Sequence, residues 1–319
     1  MLAYVISRLG QLVIVLFVVS IVIFILFRVL IPGDPAAAML GMDYTEEAYQ
    51  ALRRSMGLDS PLIVQYGRWV AGVVRGDLGI SIVDHLPVNG LVLKRLAVTF
   101  TISLIAIALS GLIAVFVSLA TAYYNNSWFD HIVRTLSMTG ICMPTQWLAI
   151  LLMLVFAVWL RLLPAGGYRR LSEGAEAISY LILPVATLVS QQVATLVRFL
   201  RSNVLDVLNA DFIRTARSKG LPEHAVLLRH ALRNSVIPFI TLLGLGFAKM
   251  VGGMVIVERV FNIPGLGRLL VRAIANRDYP VIQAAVLIAA GIYVMVNLLV
   301  DISYVWIDPR IRYGRRTGG

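Results

Sequence analysis

Long apolar stretches recur along the chain, and the segments between them hold most of its charged residues. Six of these stretches are long enough to cross a hydrocarbon core of ~30 Å, which takes ~20 helical residues. The first contains only the charge of Arg28, the fifth contains only Lys249, and the charge-free part of the sixth ends at Val300. Because helices satisfy their own backbone hydrogen bonds in lipid, the pattern predicts an all-α integral membrane protein. Its six transmembrane helices are predicted within 1–31 and over 98–123, 136–160, 177–197, 235–257 and 279–305.

The composition excludes several other classes of protein. The chain is 59% hydrophobic and 14% charged, whereas soluble domains are about half apolar and a quarter charged. This rules out a soluble enzyme and a disordered chain, and the single cysteine, Cys142, can form no internal disulfide. The net charge of +11 is best interpreted as arginines that flank membrane segments and meet anionic lipid, so no nucleic-acid partner is expected.

The distribution of lysine and arginine predicts the orientation. Six crossings place both termini on one side, and that side's termini and short connections carry twelve basic residues against seven in the short connections opposite. Basic residues favour the cytoplasmic side, so both termini are predicted to be cytoplasmic. Six more basic residues lie in the outer connection 32–97, but connections of that length largely escape the rule.

The extracytoplasmic connection 32–97 is predicted to contain short helices. One follows Thr45 and ends at Gly57, and a second covers 61–74. The apolar face of the second helix either lies in the membrane interface or covers the outer mouth of the protein, and we favour the second because Gly76 and Gly79 fold the segment back. That face comprises Tyr66, Trp69, Val70 and Val73.

The segment 201–234, between the fourth and fifth predicted spans, has the pattern of two helices joined by a tight turn. Gly220 suits the left-handed position that ends a helix, and Pro222 suits the start of the next. The second helix alternates apolar residues with Arg229, His230 and Arg233. The segment is therefore either a basic amphipathic element on anionic lipid or a docking element for a cytoplasmic partner.

Motifs for covalent chemistry are absent from the sequence. None of the three lysines stands in a phosphate-binding loop, so the chain has no ATPase site of its own and no bound cofactor is expected. The four histidines are not spaced as metal ligands, which predicts no metal site. No serine or histidine motif of a hydrolase occurs either.

Short sequence motifs are distributed along the whole chain. They lie at 32–35, 57–62, 65–66, 76–79, 214–220, 230–234, 264–267, 277–280 and 308–310. Together these motifs resemble the permease subunits of bacterial binding-protein-dependent ABC importers, specifically the first permease of the dipeptide, oligopeptide and nickel branch. In this wider family a Glu-Ala-Ala motif is followed by a glycine four residues after the last alanine. Here Arg214 and Thr215 replace the first two residues, as is usual in this branch, and Ala216 and Gly220 match.

The resemblance implies the fold, the partners and the location of the protein. The fold is that of a type I ABC importer permease, with an extracytoplasmic helical insertion after helix 1 and a cytoplasmic coupling unit between helices 4 and 5. The chain would pair with a second homologous permease, two ATPase subunits that use ATP and Mg²⁺, and an extracytoplasmic substrate-binding protein, in the bacterial inner membrane. Within the coupling segment 201–234, the implied coupling residues are Arg214, Thr215, Ala216, Arg217, Gly220 and Leu228.

Polar residues inside the predicted spans are candidates for the lining of the translocation pathway. They are Gln146, Gln191, Gln192 and Lys249; helix packing is the alternative role for such side chains. Lys249 costs at least ~2.5 kcal/mol at membrane depth, so we expect it to face the pathway or the second permease.

The substrate is expected to be a peptide, with nickel and glutathione as alternatives. A self-contained secondary transporter is the competing function, but it requires intramembrane carboxylates, and only Asp301 lies near a helix end. A membrane enzyme would need a nucleophile and base that the sequence lacks.

Overall fold

The computed structural model describes residues 2–26, 35–40, 45–55 and 57–307. The motif residues 32–34, Arg28, and the C-terminal tail from 308 onward with its Asp-Pro-Arg motif lie outside the described residues. In the described part, helices dominate and the strand-like pairing is a single bridge between Ile80 and Pro87. The α-helices are α1 Leu2–Ile25, α2 Pro35–Leu40, α3 Glu46–Ser55, α4 Leu62–Val74, α5 Val88–Tyr123, α6 Trp128–Cys142, α7 Thr145–Met153, α8 Glu176–Leu208, α9 Asp211–Ser218, α10 Glu223–Ala225, α11 Arg233–Gly253, α12 Val255–Val260, α13 Leu266–Ala275 and α14 Tyr279–Ile307.

Three short irregular helices complete these elements. A π-helical segment, Leu154–Trp159, continues α7, and another, Val226–Leu232, joins α10 to α11. A single 3₁₀ turn, Leu171–Glu173, precedes α8.

By length and composition, five of the described helices can cross a membrane, and the number is six if a bent pair of helices counts as one span. The prediction of an all-α membrane protein is confirmed. The bent pair is α6 with α7 and its π-helical continuation, which meet at 105°. Predicted span 136–160 is therefore divided between two helices, because Pro144 has no N–H to donate and the preceding Met143 is extended, with φ −76° and ψ 124°.

Further helix boundaries differ from the spans predicted by hydrophobicity, and the clearest cases are the start of α5 and the end of α11. Helix α5 begins at Val88, ten residues before the predicted span, because Lys94 and Arg95 end the apolar run without ending the helix. The fifth predicted span, 235–257, is divided at Gly253 into α11 and α12.

The described residues fall into two units, Met1–Thr99 with Pro264–Met295 and Phe100–Ile263 with Val296–Gly319. In the first unit, α4 packs on α1 through Tyr66. The Tyr66 hydroxyl lies 2.7 Å from Ser20 Oγ, and its ring lies 5.4 Å from that of Phe24 and 6.4 Å from that of Phe17. The apolar face of α4 therefore packs against the chain's own first helix, a contact that neither of the two expected placements included.

Hydrogen bonds also hold the loop before α5 in place within the first unit. Gly76 and Gly79 have φ of +81° and +87°, the left-handed region that glycine adopts without strain. The buried carboxylate of Asp278 accepts hydrogen bonds from the Ser81 hydroxyl and, at 3.1 Å, from the Ile82 amide. These bonds tie the loop to the start of α14.

The second unit is organised around α8. Its fully buried residues Leu196, Leu200 and Val204 pack with side chains of α5 and of the Val226–Leu232 segment. Helix α8 also contacts α6, α7 and α11. Because α8 is held in this core, it positions the 201–234 segment at one of its ends and a cavity near its middle.

Candidate functional site

The 201–234 segment forms the expected two helices joined by a turn. Helix α9 ends at Ser218, and the Gly220 amide donates a 2.9 Å hydrogen bond to the Arg217 carbonyl. Gly220 has φ +78°, and Pro222 immediately precedes α10. The predicted left-handed glycine and the predicted helix start at proline are confirmed.

One face of this segment is buried in the second unit and the other is open. The buried face consists of apolar residues at helical spacing: Ile213, Ala216, Val226, Leu227 and Ala231. Among the six residues implied to couple the segment to an ATPase, Arg214, Thr215, Arg217, Gly220 and Leu228 are exposed. Ala216 is the exception, since it faces the interior and permits close packing within this chain.

An ion pair closes the turn between the two helices. Arg217 donates two hydrogen bonds to the Glu223 carboxylate, at 3.1 Å from Nε and 2.6 Å from a terminal nitrogen. The hydrogen bond to Glu223 raises the pKa of the Arg217 guanidinium. Arg214 lies 3.7 Å from Asp211, but both side chains are largely exposed, at 78% and 97%, so water screens this pair. Arg217 therefore stabilises the turn, whereas the guanidinium of Arg214 is more available for contact with another molecule.

A buried ion pair anchors the start of the 201–234 segment, and the sequence pattern did not predict this pair. Arg201 on α8 donates to both carboxylate oxygens of Asp130 on α6, each at 2.7 Å, and to Asn125 Oδ1 at 2.9 Å. The Asp130 side chain is fully buried and that of Arg201 is 14% exposed. The available signal was the spacing Ser127-x-x-Asp130 at the start of α6, where Ser127 Oγ accepts from the Asp130 amide and Asp130 accepts from the Asn126 amide.

All four residues singled out as candidates for the pathway line one cavity of the second unit. It has a volume of about 530 Å³, and Gln146, Gln191, Gln192 and Lys249 lie along it. Thr145, Thr195 and the exposed Cys142 contribute further polar atoms. Within the part of the chain that the structure describes, no acidic residue lines this cavity and Lys249 is its only charged side chain.

Gln191 is engaged at the break between α6 and α7. Its Nε2 donates to the Met143 carbonyl at 2.9 Å, and its Oε1 accepts from the Thr145 hydroxyl at 2.9 Å. The side chain thus stabilises the backbone around Pro144 in addition to lining the cavity. Gln192 lies directly over Gly246, where a Cβ atom would collide with its amide group.

Two family models match the chain. The model described as "Binding-protein-dependent transport system inner membrane component" matches residues 114–313. A second, described as "Binding-prot-dependent transport system membrane comp, N-term", matches residues 1–104. Together they cover both units.

Full-length relatives agree with these matches. A protein of Sinorhizobium fredii named a probable peptide ABC transporter permease is 41% identical over 97% of this chain and 99% of its own length. A putative peptide transport system permease of Brucella abortus is 40% identical over 98% and 100%. A glutathione transport system permease of Salmonella paratyphi A is 41% identical over 98% and 100%. The chain therefore belongs to the family of inner membrane components of binding-protein-dependent transport systems, as a permease subunit of the ABC transporter class.

Proposed function

We propose that this chain forms half of the translocation pathway of an ATP-driven importer of peptides and receives an ATPase subunit on its 201–234 segment. The observation that carries this proposal is the position of the segment. It joins α8, which carries Gln191 and Gln192, to α11, which carries Lys249. The docking element and the cavity are thus connected by two continuous helices.

The two helical connections have the same length. Leu208 lies sixteen positions after Gln192, and Lys249 lies sixteen positions after Arg233. Each separation is about 24 Å of helix at a rise of 1.5 Å per residue. A packed helix transmits a displacement of one end to the other, because close-packed interiors deform little. Movement of a docked ATPase would therefore shift the cavity walls on both sides together, as a gating motion without covalent chemistry.

The docking proposal is favoured over a lipid-bound segment by the surface of α9 and the segment that follows. The apolar residues that a lipid-bound amphipathic helix would bury in the membrane are instead buried within this chain, and two of them, Leu227 and Ala231, belong to the core around α8. What remains exposed combines Arg214 with Phe212 and Leu228, and such a mixture of cationic and isolated apolar side chains suits a protein partner.

The proposed assembly contains a second homologous permease, two ATPase subunits and an extracytoplasmic binding protein. We propose that the 201–234 segment and both termini are cytoplasmic. ATP and Mg²⁺ belong to the ATPase subunits, and this chain binds no cofactor and hydrolyses no nucleotide itself. The sequence basis is the absence of a phosphate-binding loop.

The names of the relatives support a peptide as substrate. Those of Sinorhizobium and Brucella are named for peptide transport, and that of Salmonella for glutathione, which is itself a small peptide. Glutathione is accordingly the second candidate substrate.

Copurification followed by reconstitution tests this proposal. The tagged chain, expressed with its neighbouring genes, should bring down a second permease and an ATPase. In liposomes the complex should import tripeptides only with the binding protein and ATP. Glutathione uptake in the same assay separates the two substrates. Nucleotide turnover or substrate uptake by the isolated chain would overturn the assignment.

A further inference from the structure

We propose that the cavity of the second unit holds the carboxylate of the transported peptide, and that Lys249 is the residue that binds it. This inference rests on the proposed function, because it assigns a ligand group to the same cavity. The first observation is one of charge: of the residues that the structure describes, Lys249 is the only cation that lines the cavity, and no acidic residue lines it. Among the described residues, the structure gives Lys249 no ion-pair partner.

The surroundings of Lys249 suit a carboxylate. Gln146 and Gln192 present amide groups, and Thr195 presents a hydroxyl, in the same cavity. An amide N–H₂ or a hydroxyl donates to a carboxylate oxygen, and an ammonium strengthens such an arrangement through charge. Thr195 Oγ1 already donates to the Gln191 carbonyl at 3.2 Å, so the two glutamines are the more available donors.

The free-energy cost of an unpaired lysine in a membrane segment favours binding of an anion at Lys249. A lysine within a membrane segment costs several kcal/mol unless water or an opposite charge accompanies it. Lys249 is exposed in the single chain and is held on the continuous helix α11. An open cationic cavity of about 530 Å³ has room for the carboxyl end of a peptide but not for a long peptide in full. The contact therefore recognises one carboxylate of the peptide, which in a peptide without acidic side chains is its C-terminus.

Cys142 provides a reporter inside the cavity. It is the chain's single cysteine, it is exposed, and it lines the same cavity as Lys249. A cavity of this volume is about 10 Å across, a little more than the Debye length of about 8 Å in bulk solution at physiological salt, but salt screens partly enclosed charges much less than charges in bulk solution. The charge of Lys249 should therefore attract an anionic reagent and repel a cationic reagent that approaches Cys142.

The test measures the modification rate of Cys142 in the purified complex of both permeases and the ATPases. Two methanethiosulfonate reagents are compared, the anionic ethylsulfonate and the cationic ethyltrimethylammonium. Their rate ratio should fall about tenfold in Lys249→Gln and stay near the original value in Lys249→Arg. Lys94→Gln, which removes an equal charge from a residue outside the cavity lining, is the matched control. A change in thiol reactivity alters both rates alike and cancels in the ratio.

A second measurement addresses the carboxylate itself. Trialanine should slow labelling of Cys142 by neutral N-ethylmaleimide more than trialanine amide does, and this difference should vanish in Lys249→Gln. If Cys142 is labelled but shows neither charge preference nor this difference, Lys249 is neutralised by the second permease and the inference is wrong. If no reagent reaches Cys142 in either nucleotide state, the cavity is not a water-filled pathway, and that part of the proposed function fails as well.

Discussion

The 201–234 segment and the cavity that contains Lys249 lie in the same unit but are built in different ways. Nearby residues define the fold of the segment: Gly220 makes the turn, and Arg217 reaches Glu223 six positions away. The cavity depends on distant residues, since Gln191 reaches Thr145 and Met143 across 46 and 48 positions. Apart from its anchor at Asp130, the segment should therefore tolerate changes elsewhere in the chain better than the cavity does, because the cavity should be sensitive to any shift between α6, α8 and α11.

The largest effect is expected where the two regions share a support, the buried pair of Asp130 and Arg201. Arg201→Ala leaves the fully buried carboxylate with only Arg134, which lies 3.3 Å away and is 39% exposed, so the cost should be at most the ~3–5 kcal/mol of breaking a buried pair. We expect a clear loss of thermal stability and of assembled complex, measured by thermal denaturation and gel filtration. The control is Arg198→Ala, which removes an exposed arginine one turn earlier on α8. Equal stability of the two variants would show that the pair does not anchor the segment.

The next effect concerns the cavity alone. Gln191→Leu leaves the Met143 carbonyl and the Thr145 hydroxyl without their partner at the helix break, at a cost of ~1–3 kcal/mol. We expect a lower midpoint of thermal unfolding and slower transport. Gln146→Leu is the control for the unfolding midpoint only, because Gln146 lines the same cavity and, among the described residues, its side chain is given no hydrogen-bond partner. A similar shift in both variants would contradict the role of Gln191 at the break.

The third effect concerns the turn of the segment. Gly220 has open space where a Cβ would stand, so a substitution there acts through backbone strain rather than through a clash. Gly220→Val should cost ~1–2 kcal/mol in the left-handed conformation and should uncouple ATP hydrolysis from transport without affecting membrane insertion. Gly220→Asn is the control, since asparagine tolerates this conformation. Normal coupling in the valine variant would reject a functional role for the turn.

The smallest effect is expected for the ion pair across the same turn. Arg217 and Glu223 are each about half exposed. Their interaction should therefore contribute only ~0.2–1 kcal/mol to the free energy of ATPase-subunit binding, and this contribution should weaken with salt. A double-mutant cycle of Arg217→Ala and Glu223→Ala, measured as ATPase-subunit affinity at two salt concentrations, gives this value. A coupling that exceeds this range and persists at high salt would mean that the pair is buried against the ATPase.

The sequence carried the local features of both regions but not their long-range contacts. The membrane helices, the left-handed Gly220 and the start at Pro222 follow from hydrophobic length and from turn chemistry, which are properties of neighbouring residues. The pairing of Asp130 with Arg201 and the use of Gln191 at the break depend on how α6 packs on α8. The hydrophobic pattern also failed to separate α6 from α7, because Met143 and Pro144 interrupt the helix without interrupting the apolar run.

Ala216 shows the same limit within the more predictable region. The resemblance identified it as a coupling residue, but family motifs do not state which face of a helix each residue occupies. The structure places Ala216 beside Ile213 on the buried face, so its small side chain serves the packing of α9 on the rest of the unit.

Site-directed crosslinking of the 201–234 segment tests the docking of the ATPase most directly. Leu228 is 55% exposed and its neighbour Leu227 is 6% exposed, so they form a matched pair on opposite faces of one turn. In a background with Cys142→Ser, Leu228→Cys should crosslink to the ATPase subunit in the assembled transporter, and Leu227→Cys should not. Absence of any crosslink from Leu228→Cys, together with labelling of that position by a lipid-phase reagent, would contradict the account and assign the segment to the membrane surface.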